Sequence, residues 1–230
     1  MDLRWDLGGF GVFYTGRYAN LYEVEEDIGI LKGSSNFSGL SDEGWFLVNK
    51  VSGHLEFMLL SVPSSISVDG ECSAAFASGL PEISFDEFVG SECSIFQSDQ
   101  RACFSRTENR LLVCSRSMKV SFKIALTDYF HLFLDGHRAY AGYCLDDATN
   151  HIASDMPVPE SDRFMGCLLR MLSFCNKDAS DAMDDKTGSY LRRLEDLERD
   201  CLSLEKSDRR MMYILIFIEN AKLTFYDIEK

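Results

Sequence analysis

Between Met118 and Leu126 the residues Met118, Val120, Phe122, Ile124 and Leu126 alternate with Lys119, Ser121, Lys123 and Ala125. A period of two sends successive side chains to opposite faces of a strand, one toward a core and one toward water. Tyr129–Leu134 then leads into Asp135-Gly136, a two-residue hairpin signal, and His137–Cys144 follows. With Arg110–Arg116 in front, residues 110–145 are expected to form a four-stranded antiparallel meander. In a two-residue hairpin Leu134 opposes His137 and His131 opposes Tyr140. His131 and His137 then point to opposite faces, which argues against a metal clip between them.

The rest of the first 150 residues also reads as strands. Phe10–Tyr18 and Leu21–Leu31 are aromatic and β-branched, and Trp45–Val51 with His54–Val62 reads as a hairpin. Ser84-Phe-Asp-Glu87 has capping-box spacing and predicts a short helix over 85–89. Past Met156-Pro-Val-Pro159 the period changes. Phe164, Leu168, Met171, Leu172 and Cys175 recur at helical spacing and predict a helix over 160–176. Residues 176–188 read as a polar break. Tyr190, Leu194, Leu197, Cys201 and Leu204 form a heptad stripe on a second helix, with Arg192/Asp196 and Glu195/Arg199 as i,i+4 pairs. Met211–Ile218, Glu219-Asn220 and Lys222–Ile228 read as a closing hairpin. The expected fold class is therefore α+β. A curved antiparallel sheet, with closure into a barrel as one option, fills a strand-rich acidic section over 1–150. Packed helices and the hairpin fill 155–230, as one cooperative unit with the first section.

Charge is distributed unevenly along this pattern. The first hundred residues hold 16 Asp/Glu and 4 Lys/Arg, out of 37 and 23 in the whole chain. No base occurs between Lys50 and Arg101, where Glu56, Asp69, Glu71, Glu82, Asp86, Glu87, Glu92 and Asp99 lie. A one-sign field repels nucleic acid and anionic membranes and attracts basic partners. The longest apolar run, Met211–Ile218, is far shorter than the roughly 20 residues of a membrane helix. The N-terminus lacks the basic and apolar regions of a secretory signal. Most of the eight cysteines lie among apolar residues and read as buried thiols. A soluble, reduced, cytoplasmic protein is expected, with no cofactor and no metal site.

The motifs carry little chemistry. His54-Leu-Glu56 matches the H-x-E of zinc deaminases, but no two cysteines lie three apart to complete the site. Asp185-Lys-Thr-Gly188 matches the core of an aspartyl-phosphate motif but follows a polar stretch instead of a buried strand, and reads as a helix start with Thr187 or Ser189 as cap. Neither Cys103 nor Cys114 has Arg six residues on, as a phosphatase loop requires. Gly8-Gly-Phe-Gly11 reads as a turn into the first strand.

What remains is the acidic segment. Glu82, Asp86, Glu87 and Glu92 surround Phe85 and Phe88, a carboxylate rim around aromatic anchors. The expected function is a protein-binding module that neutralises a basic partner, such as a toxin, in the manner of inhibitors and immunity proteins; the likeness is compositional. Two alternatives are an enzyme with a dispersed cysteine or carboxylate site, and a subunit that self-associates through Tyr190, Leu194, Leu197 and Leu204.

Overall fold

The computed structural model describes residues 3–9, 11–16, 18, 23, 43–48, 55–70, 79–85, 88, 93–96, 99–152 and 163–228. The class is α+β, with eleven strands and four α-helices among these residues. Strands β1 (Leu3–Asp6), β2 (Gly11–Tyr14), β3 (Glu43–Val48), β4 (Leu55–Ser61) and β6 (Cys93–Phe96) make a five-stranded sheet in the order β1-β2-β4-β3-β6. Strands β5 (Ile66–Val68), β7 (Gln100–Ser105), β8 (Arg110–Ser115), β9 (Phe122–Thr127), β10 (Phe130–Leu134) and β11 (Tyr140–Leu145) make a six-stranded one, ordered β5-β7-β8-β11-β10-β9. Two open sheets replace the single curved or closed sheet expected from sequence. β5 also pairs with β7 in parallel, against the all-antiparallel expectation.

The hairpin expected over 45–62 forms, and the meander expected over 110–145 is rearranged. β3 pairs antiparallel with β4, and residues 7–9 turn β1 into β2. In 110–145, β9, β10 and β11 are consecutive neighbours, but β8 lies beside β11 instead of β9. That is a Greek-key arrangement, not a meander. The turn after β10 is longer than Asp-Gly implied. Leu134 pairs with Tyr140 and His131 with Cys144. The Asp135 carboxylate accepts from the backbone N–H of His137 at 2.8 Å and of Ala139 at 2.9 Å, which holds a five-residue loop. Next to it β11 is bulged, and Gly142 has φ +145° with a would-be Cβ 2.1 Å from the Val113 carbonyl oxygen. Only glycine permits β8 and β11 to approach there. The predicted strand 21–31 and most of the predicted helix 85–89 lie outside the described residues.

Helices α1 (Arg163–Leu172), α2 (Lys177–Asp184), α3 (Gly188–Leu204) and α4 (Met211–Tyr226) complete the fold. The closing hairpin is not formed: Met211–Tyr226 is one helix running through Glu219-Asn220. A short continuous apolar run fits a buried helix as well as a strand. The polar break contains α2, capped by Asn176, whose side chain accepts from the Ala179 N–H. On α3, Arg199 pairs with Asp196 at 3.1 Å, and Arg192 donates to the Gly188 carbonyl. The heptad stripe is consumed inside the molecule. Leu194, Leu197 and Cys201 have no exposed surface, while Tyr190 and Leu204 are half-buried against the same core. Of the residues expected to mediate self-association, Leu194 and Leu197 thus present no surface, and Tyr190 and Leu204 present part of theirs. None of the described helices is long and apolar enough to cross a membrane.

One contiguous cluster of buried residues takes its members from both sheets and all four helices, from Leu3 and Trp5 to Phe217 and Ala221. Trp5 of β1 packs on Phe104 of β7 with ring centroids 5.7 Å apart, and the Tyr143 hydroxyl of β11 donates to the Ser61 carbonyl at 3.2 Å. These contacts tie the first sheet to the second. In the corner between α3 and α4, Arg210 forks onto Asp208, with its guanidinium 4.1 Å above the Phe164 ring. Both side chains of that ion pair are 6% exposed. A buried pair of this kind depends on both partners, since either charge alone is left desolvated.

Candidate functional site

The acid/aromatic segment is anchored to the core by its aromatics. The Phe85 and Phe88 rings lie 5.9 and 6.0 Å from Phe46 of β3, and 6.1 Å from each other. Both are half-buried against the main cluster. Glu82 is exposed, forms a parallel bridge to Lys123 and meets its ammonium at 3.4 Å. Asp69 meets Arg106 at 3.8 Å. Two carboxylates of the base-free segment thus find counter-charges on the later, near-neutral part of the chain. Asp86, Glu87 and Glu92 lie outside the described residues. His54 does as well, so the H-x-E pair has no geometry to assess.

The longer loop after β10 brings together residues that the sequence did not connect. Opposite His131 stands Cys144, and both lie on the sheet face away from the main core, with Asp146 just beyond. Asp146 accepts from Arg110 Nε at 2.5 Å, stands 3.6 Å from His131 Nε2, and takes the Cys144 S–H at 3.9 Å. A cysteine and a histidine thus each meet the same carboxylate. Burial, with the Asp146 charge beside it, pushes the Cys144 thiol up to about 12. Burial lowers His131 below the ordinary imidazole value in spite of Asp146. The thiol remains an S–H donor and the imidazole remains neutral. A catalytic Cys–His pair needs the thiol to hydrogen-bond to the imidazole that takes its proton, whereas this thiol donates to Asp146. What the group does hold is the Arg110–Asp146 ion pair that joins β8 to the end of β11. The described residues contain no cluster of three or more ligating side chains fit to hold a metal.

A second thiol pair lies between helices. Cys167 of α1 and Cys201 of α3 hydrogen-bond, next to the Arg170–Asp200 ion pair that links the same two helices. The Cys201 hydrogen bond lowers the Cys167 thiol, and in return Cys201 is raised. Cys175 is buried and pushed up to about 12.

A sizeable concavity among the described residues lies elsewhere. A cleft of about 500 Å³ opens where α2 and α4 meet the end of α1 and the chain at Ser64-Ser65. Its floor of Phe174, Cys175, Met183, Phe217 and Ala221 is buried and apolar. A shallower hollow of about 440 Å³ flanks it across Gly8 and Asn220, which border both. Sequence reasoning missed this place because its walls come from four separate stretches, none with a motif. The chain matches no protein-family model and no curated protein.

Proposed function

We propose that this chain is a partner-binding module whose acid-rich half recognises a basic protein, as inhibitors and immunity-type proteins do. The supporting observation is the way charge is divided along the chain. All five strands of the first sheet come from residues 3–96, and the first hundred residues carry the excess of 16 acids over 4 bases. With the exception of β5, the second sheet and the helices come from the balanced remainder. In this reading that imbalance along the sequence gives the acid-rich part of the chain a one-sign field. Such a field accelerates encounter with a basic surface and weakens as salt screens it. In this reading Glu82, Asp86, Glu87 and Glu92 supply the carboxylates, and the half-buried Phe85 and Phe88 fix the segment to Phe46 and lend it their exposed edges.

The test is capture on the immobilised full-length protein at low salt, eluted by a salt gradient, beside a variant carrying Glu82→Lys, Asp86→Lys and Glu87→Lys. The reading expects one stoichiometric basic protein, released by salt and lost from the variant. Equal retention by both proteins would remove the patch assignment, and an empty eluate would remove the partner class.

A further inference from the structure

The cleft at α2 and α4 belongs to the other side of the charge map. Residues 163–228 contain 12 acids and 11 bases, so the field there is not that of the first hundred. Its volume falls in the range of small-molecule sites, about 300–1,000 Å³. Such sites pair an apolar floor with a few polar groups that orient the ligand, and this one has both. Phe174, Phe217 and Phe225 contribute three aromatic rings. Phe174 is held in place by Tyr190, edge-on at 6.2 Å, and by the Arg193 guanidinium at 4.9 Å. On the rim stand the hydroxyls of Ser64, Ser65 and Thr224, all exposed, with Lys177 and, one turn along α2, Asp181, the cation and the carboxylate of the lining among the described residues.

Gly8 borders both cleft and hollow; its N–H donates to the Asp6 carboxylate at 2.9 Å, which pins the turn, and a Cβ there would lie 3.2 Å from Ile216 Cγ2.

We propose that this cleft binds a small aromatic anion, its ring system on the phenylalanine floor and its carboxylate or sulfonate at Lys177. Aromatic rings prefer offset or edge contacts with other rings over plain apolar surface. An anion paired with an ammonium at a half-open rim gains a charge-assisted hydrogen bond. This goes beyond the partner-binding reading and uses none of its residues.

The probe is 1-anilinonaphthalene-8-sulfonate, titrated into the full-length folded protein and followed by fluorescence and calorimetry. Saturable one-to-one binding with blue-shifted emission is expected. Thr224→Trp, an exposed position that leaves the floor intact, should abolish it without changing the melting temperature. Lys177→Gln should weaken it about tenfold, the loss of one charged hydrogen bond. The triple reversal at Glu82, Asp86 and Glu87 should leave it unchanged, which separates this site from the acidic patch. Absence of saturable binding, or binding untouched by Thr224→Trp, overturns the site. Binding that survives Lys177→Gln at full strength overturns the anionic end.

Discussion

The two sheets bury their strands differently. In β1 the burial alternates, with Leu3 and Trp5 inside and Arg4 and Asp6 half-buried. In β11 all six residues from Tyr140 to Leu145 are buried. The six-stranded sheet is covered on both faces: Leu132, Tyr143 and Leu145 face the main core, while Leu112, Phe133, Ala141 and Cys144 form a second cluster behind it. The five-stranded sheet buries Phe46, Met58 and Leu60 inward, and its reverse side carries a smaller cluster around Tyr18 and Phe57 with Trp45, Leu47 and Leu59 half-exposed. A doubly covered sheet has little room for charge, since a carboxylate there needs a partner, as Asp146 has in Arg110. The first hundred residues, which supply the more lightly covered sheet, carry 16 acids against 4 bases. The proposed function assigns recognition to that acid-rich part and rigidity to the doubly covered sheet.

The largest test of that contrast is Trp5→Ala. Trp5 is 1% exposed and bridges the sheets, and removing it should cost about 3–5 kcal/mol. Trp45 then becomes the sole tryptophan and reports on the five-stranded sheet, while circular dichroism at 222 nm reports on the helices. Coincident urea transitions are expected, because the core is continuous. Separate transitions would divide the comparison into two independent bodies.

Nearly as large is Asp208→Ala, which strands the buried Arg210 guanidinium; a loss of about 3–5 kcal/mol in chemical denaturation is expected. Replacing both, as Asp208→Leu with Arg210→Met, should recover most of it. A double variant as unstable as the single one would mean the pair holds the α3–α4 corner by its charges.

A smaller effect belongs to pH. His131 and His151 are both lowered by burial in the folded state. The unfolded chain therefore binds more protons than the folded one once pH falls below the ordinary imidazole value of about 6.5. Full stability is present above that value and declines as pH drops through it. His131→Gln should flatten the decline in melting temperature between pH 7.5 and 5; an unaltered slope would show that His131 is not a contributor. The smallest effect should come from Glu82→Ala. Its pair with Lys123 is half in water and should be worth no more than about 1 kcal/mol, well below the cost at Trp5.

Local pattern disclosed much of this fold. The α3 stripe names its buried residues, Leu194, Leu197 and Cys201, because heptad spacing and burial coincide there. The hairpin of β3 and β4 follows from alternating runs on either side of a break. β9 was legible only in part, since the strand begins at Phe122 and Met118 is exposed. α2 was hidden because its buried face consists of just Ala179 and Met183, one turn apart in a polar sequence. α4 is apolar nearly all round, and that removes the periodicity by which a helix is recognised. The meeting of His131 and Cys144 at Asp146 turned on loop and bulge together: a two-residue turn sets Tyr140 opposite His131, a five-residue loop alone would set Tyr143 there, and the extra residue of the β11 bulge brings Cys144. The cleft was not legible at all, since Gly8, Ser64, Phe174 and Phe217 meet only through tertiary packing.

The most direct measurement of the central claim compares two triple charge reversals in association kinetics with the captured basic partner at low and high salt. One carries Glu82→Lys, Asp86→Lys and Glu87→Lys; the other carries Asp184→Lys, Asp185→Lys and Glu195→Lys on the helical side, all three exposed. The account predicts that the first lowers the on-rate at low salt by at least about tenfold and loses its salt dependence, while the second stays near the native rate. Equal slowing by both variants would show that only net charge matters and would contradict an acid-rich half that recognises its partner.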